Sequence, residues 1–278
     1  MVHASLFSGI GGFDLAAEWA GWSNAFNCEI DLFCRKVLKY HFPNAEQYED
    51  IKSTDFTIWR GKIDVLTGGF PCQPFSTAGK RKGTADNRYL WPEMLRAIRE
   101  IRPRWVVGEN VLGIVSWDGG MVFEQVHADL ETEGYEVQAF VLPACGVNAP
   151  HQRYRTWFVA YCSNTGIKNE RKGKNEILSD AAVAYSDSFQ LCKRRMYQER
   201  SQKTERYTGL CYSFDIWRTW EIFPTQPPVC SRDDGFPIPM DGITFPMWRA
   251  KSIKSYGNAI VPQIAYRIFK LINKYEIL

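Results

Sequence analysis

The sequence predicts an α/β fold, an open and largely parallel sheet with helices on both faces, joined to a smaller irregular domain. Three features carry that prediction. A first strand, Ala4-Ser5-Leu6-Phe7, runs into the glycine turn Ser8-Gly9-Ile10-Gly11-Gly12 and then into a helix marked by Phe13, Ala16, Ala17 and Ala20. That order opens a nucleotide-type βα unit. Short apolar runs, Ile63-Asp64-Val65-Leu66-Thr67 and Arg104-Trp105-Val106-Val107-Gly108, alternate with helical segments and read as buried parallel strands. Residues 163–245 lose this rhythm altogether.

Taken in order, the first helix spans residues 13–22. The next strand, Ala25-Phe26-Asn27-Cys28, ends in Glu29-Ile30-Asp31. Glu29 follows Gly9 by 20 positions, about where such folds place a carboxylate on a ribose hydroxyl. The turn departs from the dinucleotide fingerprint, because Asp14 stands where the third glycine belongs. NAD is therefore disfavoured, and an adenosine-containing ligand is not. A second helix covers 32–41 and stops before Pro43. A short third strand lies around 48–51.

The strand at 63–67 leads into Gly68-Gly69-Phe70-Pro71-Cys72-Gln73-Pro74-Phe75-Ser76. The glycines permit a tight turn and a close backbone approach, and Pro71 and Pro74 stiffen the chain around Cys72. A thiol in a stiff loop at the C-terminal end of a strand sits where open α/β sheets hold ligands. The polar stretch 77–87 carries Lys80, Arg81 and Lys82 and reads as a lid whose cations meet phosphates. A helix follows at 90–101, with Pro92 in its first turn. The strand after it ends in Glu109-Asn110-Val111, a second polar group on the same edge as Cys72.

A helix at 122–133 closes at Gly134. Segments 137–143 and 156–161 read as an antiparallel pair, and their connection holds Gln152-Arg153-Tyr154-Arg155. Arginines at i and i+2 entering a strand point the same way. Residues 163–208 are polar with two basic clusters and interleaved tyrosines, a pattern that suits nucleic acid. Residues 209–245 are rich in Trp, Phe and Pro. Val261, Ile264, Ala265, Ile268, Leu271 and Ile272 mark a closing amphipathic helix, which must return to the first domain to bury its stripe.

Composition sets the outer bounds. The 278 residues suffice for one large domain or one plus a small one. A formal charge of +3 puts any basic surface in local patches. Eight scattered cysteines without a C-x-x-C pair fit reduced thiols, and the four histidines lack metal-ligand spacing. No apolar run approaches the length of a membrane span, and the first residues show no signal-peptide pattern. A metal-free cytoplasmic protein is expected.

In its ordered motifs the chain resembles the DNA (cytosine-5)-methyltransferases, most of all the small bacterial and phage type. Phe7-Ser8-Gly9-Ile10-Gly11-Gly12-Phe13 is similar to the cofactor loop and Pro71-Cys72-Gln73 to the nucleophile motif. Glu109-Asn110-Val111 is similar to the acidic motif, Gln152-Arg153-Tyr154-Arg155 to the arginine block, and Gly257-Asn258-Ala259-Ile260-Val261-Pro262 to the closing block. The resemblance implies a Rossmann-like, S-adenosylmethionine-dependent sheet at residues 1–162 and 249–278, with a target-recognition domain at 163–248. It implies S-adenosyl-L-methionine as methyl donor, with Phe7 stacking on the adenine. Ser8, Gly9, Ile10, Gly11 and Gly12 would hold the methionine part, and Glu29 the ribose. Ile30, Asp50 and Ile51 would frame the adenine, while Gly69, Pro71, Leu90, Asn258 and Ala259 complete the pocket.

The implied reaction methylates C5 of a flipped-out cytosine in a specific duplex DNA sequence through a covalent Cys72 adduct at C6. Cys72, Glu109, Arg153 and Arg155 are the catalytic candidates. A thiolate is favoured by nearby positive charge, which Arg153 or Arg155 can supply. Glu109 must be buried to hold a proton for N3, and Arg155 suits O2. Gln73, Ser76, Lys80, Arg81 and Lys82 are candidate DNA contacts. The implied partners are double-stranded DNA and, acting separately, a cognate restriction endonuclease; the chain itself is expected to be a monomer, in a bacterial or phage-infected cell. Methylation of tRNA cytosine, a silent DNA-binding module and a NAD-dependent oxidoreductase are the competing readings. The triple of Cys72, Glu109 and Arg155 argues against the second, and the missing third glycine against the third.

Overall fold

The computed structural model describes residues 1–71, 89–162 and 245–277. Seven strands form one sheet in the order β3-β2-β1-β4-β5-β7-β6. They are β1 (Val2–Leu6), β2 (Ser23–Cys28), β3 (Glu46–Tyr48), β4 (Val65–Gly68), β5 (Trp105–Val111), β6 (Tyr135–Leu142) and β7 (Arg155–Cys162). The first five run parallel, and β7 pairs antiparallel with both β5 and β6. The helices are α1 (Gly12–Trp19), α2 (Leu32–His41), α3 (Trp91–Ile101), α4 (Met121–Thr132), α5 (Phe245–Asn258) and α6 (Pro262–Ile277).

The chain builds β1, β2 and β3 outward in one direction, then returns to lay β4 on the other side of β1. This reversal is the topological switch point, and open α/β sheets bind ligands beyond the strands' C-terminal ends there. The glycine loop after β1 and the Gly69-Phe70-Pro71 turn after β4 therefore flank one crevice.

Each face of the sheet has its own core. Ala4, Leu6, Phe26, Leu66, Val106 and Phe158 pack under α3 and α4. Val65, Trp105, Val107, Trp157 and Val159 pack under α1 and α6. The period-2 alternation of the strands divides them between the two layers. The closing helix does return to the first domain. Phe269 stacks on Trp22 at 4.5 Å between ring centroids, and Asn273 takes a hydrogen bond from Trp22 Nε1 at 2.7 Å.

Several sequence expectations need correction. The first helix ends at Trp19, because Gly21 turns left-handed at φ 79° and starts β2 early. β5, by contrast, ends at Val111 as expected, paired with β7 along its whole length. Helix α5 has no counterpart in the sequence reading. Its apolar positions are too sparse for a clear stripe, and Trp248 packs instead with Phe33 and Val37 of α2. The helix crosses the boundary drawn at 248/249. Residues 163–244, most of the expected second domain, and the loop of Gln73, Ser76, Lys80, Arg81 and Lys82, with Cys72 itself, lie outside the described residues.

Candidate active site

At the C-terminal end of β5, beside the start of β7, lies an ion pair. Arg155 Nε donates to Glu109 Oε1 at 2.9 Å. In the β5·β7 ladder Glu109 faces Trp157 and Arg155 faces Val111, so the two charged side chains are diagonal neighbours on one face. The side chain of Glu109 is only 12% exposed. Burial pushes its carboxyl from 4.5 up to about 7, against the opposing pull of Arg155 and then Arg153. Arg155 engages Oε1, and among the described residues Oε2 is left to carry a proton. A side chain at Gly69 would stand 3.4 Å from that Oε2, so the glycine turn lies directly against the acid.

The turn that leads to Cys72 is pinned from both sides. Asn110 Nδ2 donates to the Phe70 carbonyl at 3.0 Å, and the Leu90 amide to the Pro71 carbonyl at 3.4 Å. Phe70 is buried against Trp91. Gly69, Phe70 and Pro71 therefore form a pinned turn beside Glu109.

The two arginines do not point the same way. The strand begins at Arg155, and Arg153 lies before it with φ 34°. The turn sends the Arg153 guanidinium to the carbonyls of Gly257 and Ala259, at 2.9 and 2.6 Å. It clamps the closing segment, whereas Arg155 serves Glu109. Ile260 of that segment lies over α1: a side chain at Gly12 would meet Ile260 Cγ1 at 2.6 Å.

The glycine loop is shaped by two kinds of constraint. Gly11 has φ 87°, and a Cβ there would strike the Phe42 ring at 2.4 Å. Gly9 has φ 56°, and a Cβ there would meet no atom of the described residues within 4 Å, so its backbone borders open space. Glu29 holds this loop through both oxygens, accepting from Gly9 N and Asp31 N at 2.8 Å each. Two of about four acceptor directions on a carboxylate remain for a ligand. Ile30 beside it is 68% exposed. The Asp50–Ile51 turn is tied from behind, where Arg96 donates to the Ile51 and Thr54 carbonyls. Ile51 itself is buried in the core.

The structure thus brings Phe7 to Gly12, Glu29, Gly69, Pro71, Leu90, Glu109, Arg153, Arg155, Asn258 and Ala259 to one edge of the sheet. Sequence reasoning missed a buried polar layer under α1. His3 meets Asn24 Oδ1 at 2.7 Å and Thr67 Oγ1 at 2.9 Å, and Ser5 meets Asp14 at 3.0 Å. The available signal was polar alternation, His3 and Ser5, in a strand expected to be apolar. Among the described residues no His, Cys, Asp and Glu cluster could hold a metal, and no helix is long and apolar enough to cross a membrane.

A family model described as "C-5 cytosine-specific DNA methylase" matches residues 1–217. Type II methyltransferase M.PspPI of Psychrobacter sp. is 42% identical over 54% of the chain and 37% of its own length. M.HhaI of Haemophilus parahaemolyticus is 33% identical over 59% of the chain and 50% of its own length. These matches span well under two thirds of either relative. M.NlaX of Neisseria lactamica is 26% identical over 93% of the chain and 92% of its own length. Among solved structures, a candidate DNA modification methyltransferase from an E. coli prophage superposes with a TM-score of 0.52. It is 26% identical and covers 61% of this chain and 49% of that one.

Proposed function

Because the chain belongs to the family of C-5 cytosine-specific DNA methylases, we propose that it transfers a methyl group from S-adenosyl-L-methionine to C5 of a cytosine in double-stranded DNA. The observation that carries this reading is the buried Glu109 carboxyl, raised to about 7 and paired through one oxygen with Arg155. A DNA-binding module has no use for a proton held at that edge.

The crevice fits the donor. Gly9 borders open space, and Glu29 keeps acceptor capacity beside it for ribose hydroxyls. When bound, the donor supplies an electrophilic methyl on a sulfonium. The remaining chemistry belongs to the chain and the base. Cytosine C5 is too electron-poor to take a methyl unaided. The Cys72 thiolate adds to C6, and the displaced electron pair spreads toward N3 and O2. Glu109 gives its proton to N3, which leaves an enamine nucleophilic at C5. Arg155 stabilises charge that builds at O2. After methyl transfer a base takes the C5 proton, the freed electron pair expels the Cys72 sulfur from C6, and the N3 proton returns to Glu109. A cytosine in a duplex must first be extruded, at a cost of a few kcal/mol, roughly. Gln73, Ser76 and Lys80 to Lys82 are the proposed groups that offset this cost, and residues 163–248 the proposed target-recognition domain.

The test is mass spectrometry of nucleosides from a sequence-diverse duplex incubated with protein and donor, with tRNA as competitor. 5-Methylcytosine in the DNA is expected; none in DNA, or methylation of tRNA alone, refutes the assignment. Cys72→Ala is expected to abolish transfer and to leave donor binding intact by calorimetry. Residual turnover in that variant removes Cys72 as nucleophile.

A further inference from the structure

Asp14 occupies the place where dinucleotide-binding loops carry their third glycine, and the reaction has no step for it. It is fully buried in the first turn of α1. Its carboxylate oxygens lie 3.0 Å from Ser5 Oγ, Ser5 Oγ lies 2.7 Å from Ser8 Oγ, and Ser8 Oγ accepts from the Cys28 amide at 3.1 Å. The Ser8 amide donates in turn to the Cys28 carbonyl at 3.1 Å.

A count of protons orders this chain. Each hydroxyl has one to give. An ionised Asp14 only accepts, so Ser5 donates to Asp14, Ser8 donates to Ser5, and Cys28 N–H donates to Ser8. A protonated Asp14 donates to Ser5 instead, Ser5 to Ser8, and Ser8 turns its proton onto the carbonyl of Ser5 at 3.1 Å or Cys28 at 3.3 Å. The chain closes in either state, and Ser8 makes three hydrogen bonds through its amide and hydroxyl when Asp14 is ionised and four when it is protonated. Burial raises the Asp14 carboxyl to about 7, so both arrangements are populated near neutrality.

What the chain holds is strained. Ser8 sits between Phe7 at φ 52° and Gly9 at φ 56°. A left-handed phenylalanine is sterically costly and persists only where its surroundings over-determine it. Phe7 has no Cβ-free escape as Gly9 has, and its ring direction follows from its backbone.

We propose that Asp14 is a positioning residue, which acts through Ser5 and Ser8 to hold Phe7 and Gly9 in the left-handed shape that receives the methyl donor. This rests on the glycine loop being the donor site. It predicts that cutting the chain weakens donor binding while the DNA side is untouched.

Calorimetric titration of the full chain with S-adenosyl-L-methionine, beside duplex binding by fluorescence anisotropy, tests it. Ser5→Ala is expected to raise the donor Kd tenfold or more with duplex affinity within threefold. Asp14→Asn, which keeps an acceptor for Ser5, is expected to bind the donor within threefold of wild type. Thermal unfolding checks that each variant is folded. If Ser5→Ala does not fold, Ser5→Cys decides, because the near-isosteric thiol fills the same space, bonds only weakly, and replaces no residue assigned to the donor. An unchanged donor Kd in the folded variant, or an equal loss for donor and duplex, overturns the proposal. Wild-type protein that takes no donor refutes the underlying site instead.

Discussion

Replacing Glu109 by glutamine separates the proton from the carboxyl. Moving a buried carboxyl from 4.5 to about 7 corresponds to roughly 3 kcal/mol at about 1.36 kcal/mol per tenfold. The sign follows from proton counts. Between pH 4.5 and about 7 the folded chain keeps a proton on Glu109 that the unfolded chain has released. The stability owed to this group is full below 4.5, drains as pH rises, and is gone above about 7. Glutamine has nothing to titrate. The stability difference, wild type minus Glu109→Gln, should therefore fall by roughly 2–3 kcal/mol between about pH 5 and pH 8. Urea unfolding of both proteins at half-unit pH steps measures it, and subtraction removes every titration they share. Methyl transfer by the variant should drop by about 10²–10⁴-fold, the usual loss of a general acid. A difference that stays flat across that range would mean that Glu109 ionises as it does in water. The proposed proton transfer to N3 would then lose its donor.

Two further perturbations probe the same edge. Arg155→Met removes the largest influence that keeps Glu109 low, so its carboxyl should climb further. The alkaline limb of the rate profile should move to higher pH while the maximal rate falls, and an unmoved limb would uncouple the pair. Gly11→Ala forces a Cβ against the Phe42 ring at a left-handed position. Strain and overpacking together should cost roughly 2–4 kcal/mol in denaturant unfolding, and a loss near zero would show that the loop relaxes freely.

Much of the chemistry was legible because local rules govern it. A glycine run after an apolar strand can hardly be anything but a tight βα turn, and the spacing from Gly9 to Glu29 survives folding as a direct 2.8 Å hydrogen bond. The need for a buried Glu109 follows from what a proton donor requires at neutral pH. The strands announced themselves for the same reason, since runs buried on both faces must be apolar.

The sequence by itself determined the order of elements, the glycine loop, and the residue types gathered at strand ends. Only the tertiary structure decided how they meet. Arg153 and Arg155 look equivalent in the chain, yet a positive φ at Arg153 turns it to the Gly257 and Ala259 carbonyls and leaves Arg155 to Glu109. Helix α5 carries too weak a stripe to be seen without its partner α2. The Ser5–Asp14 chain was invisible because a buried polar residue declares its purpose only through its hydrogen-bond partner, and partners distant in sequence are chosen by packing.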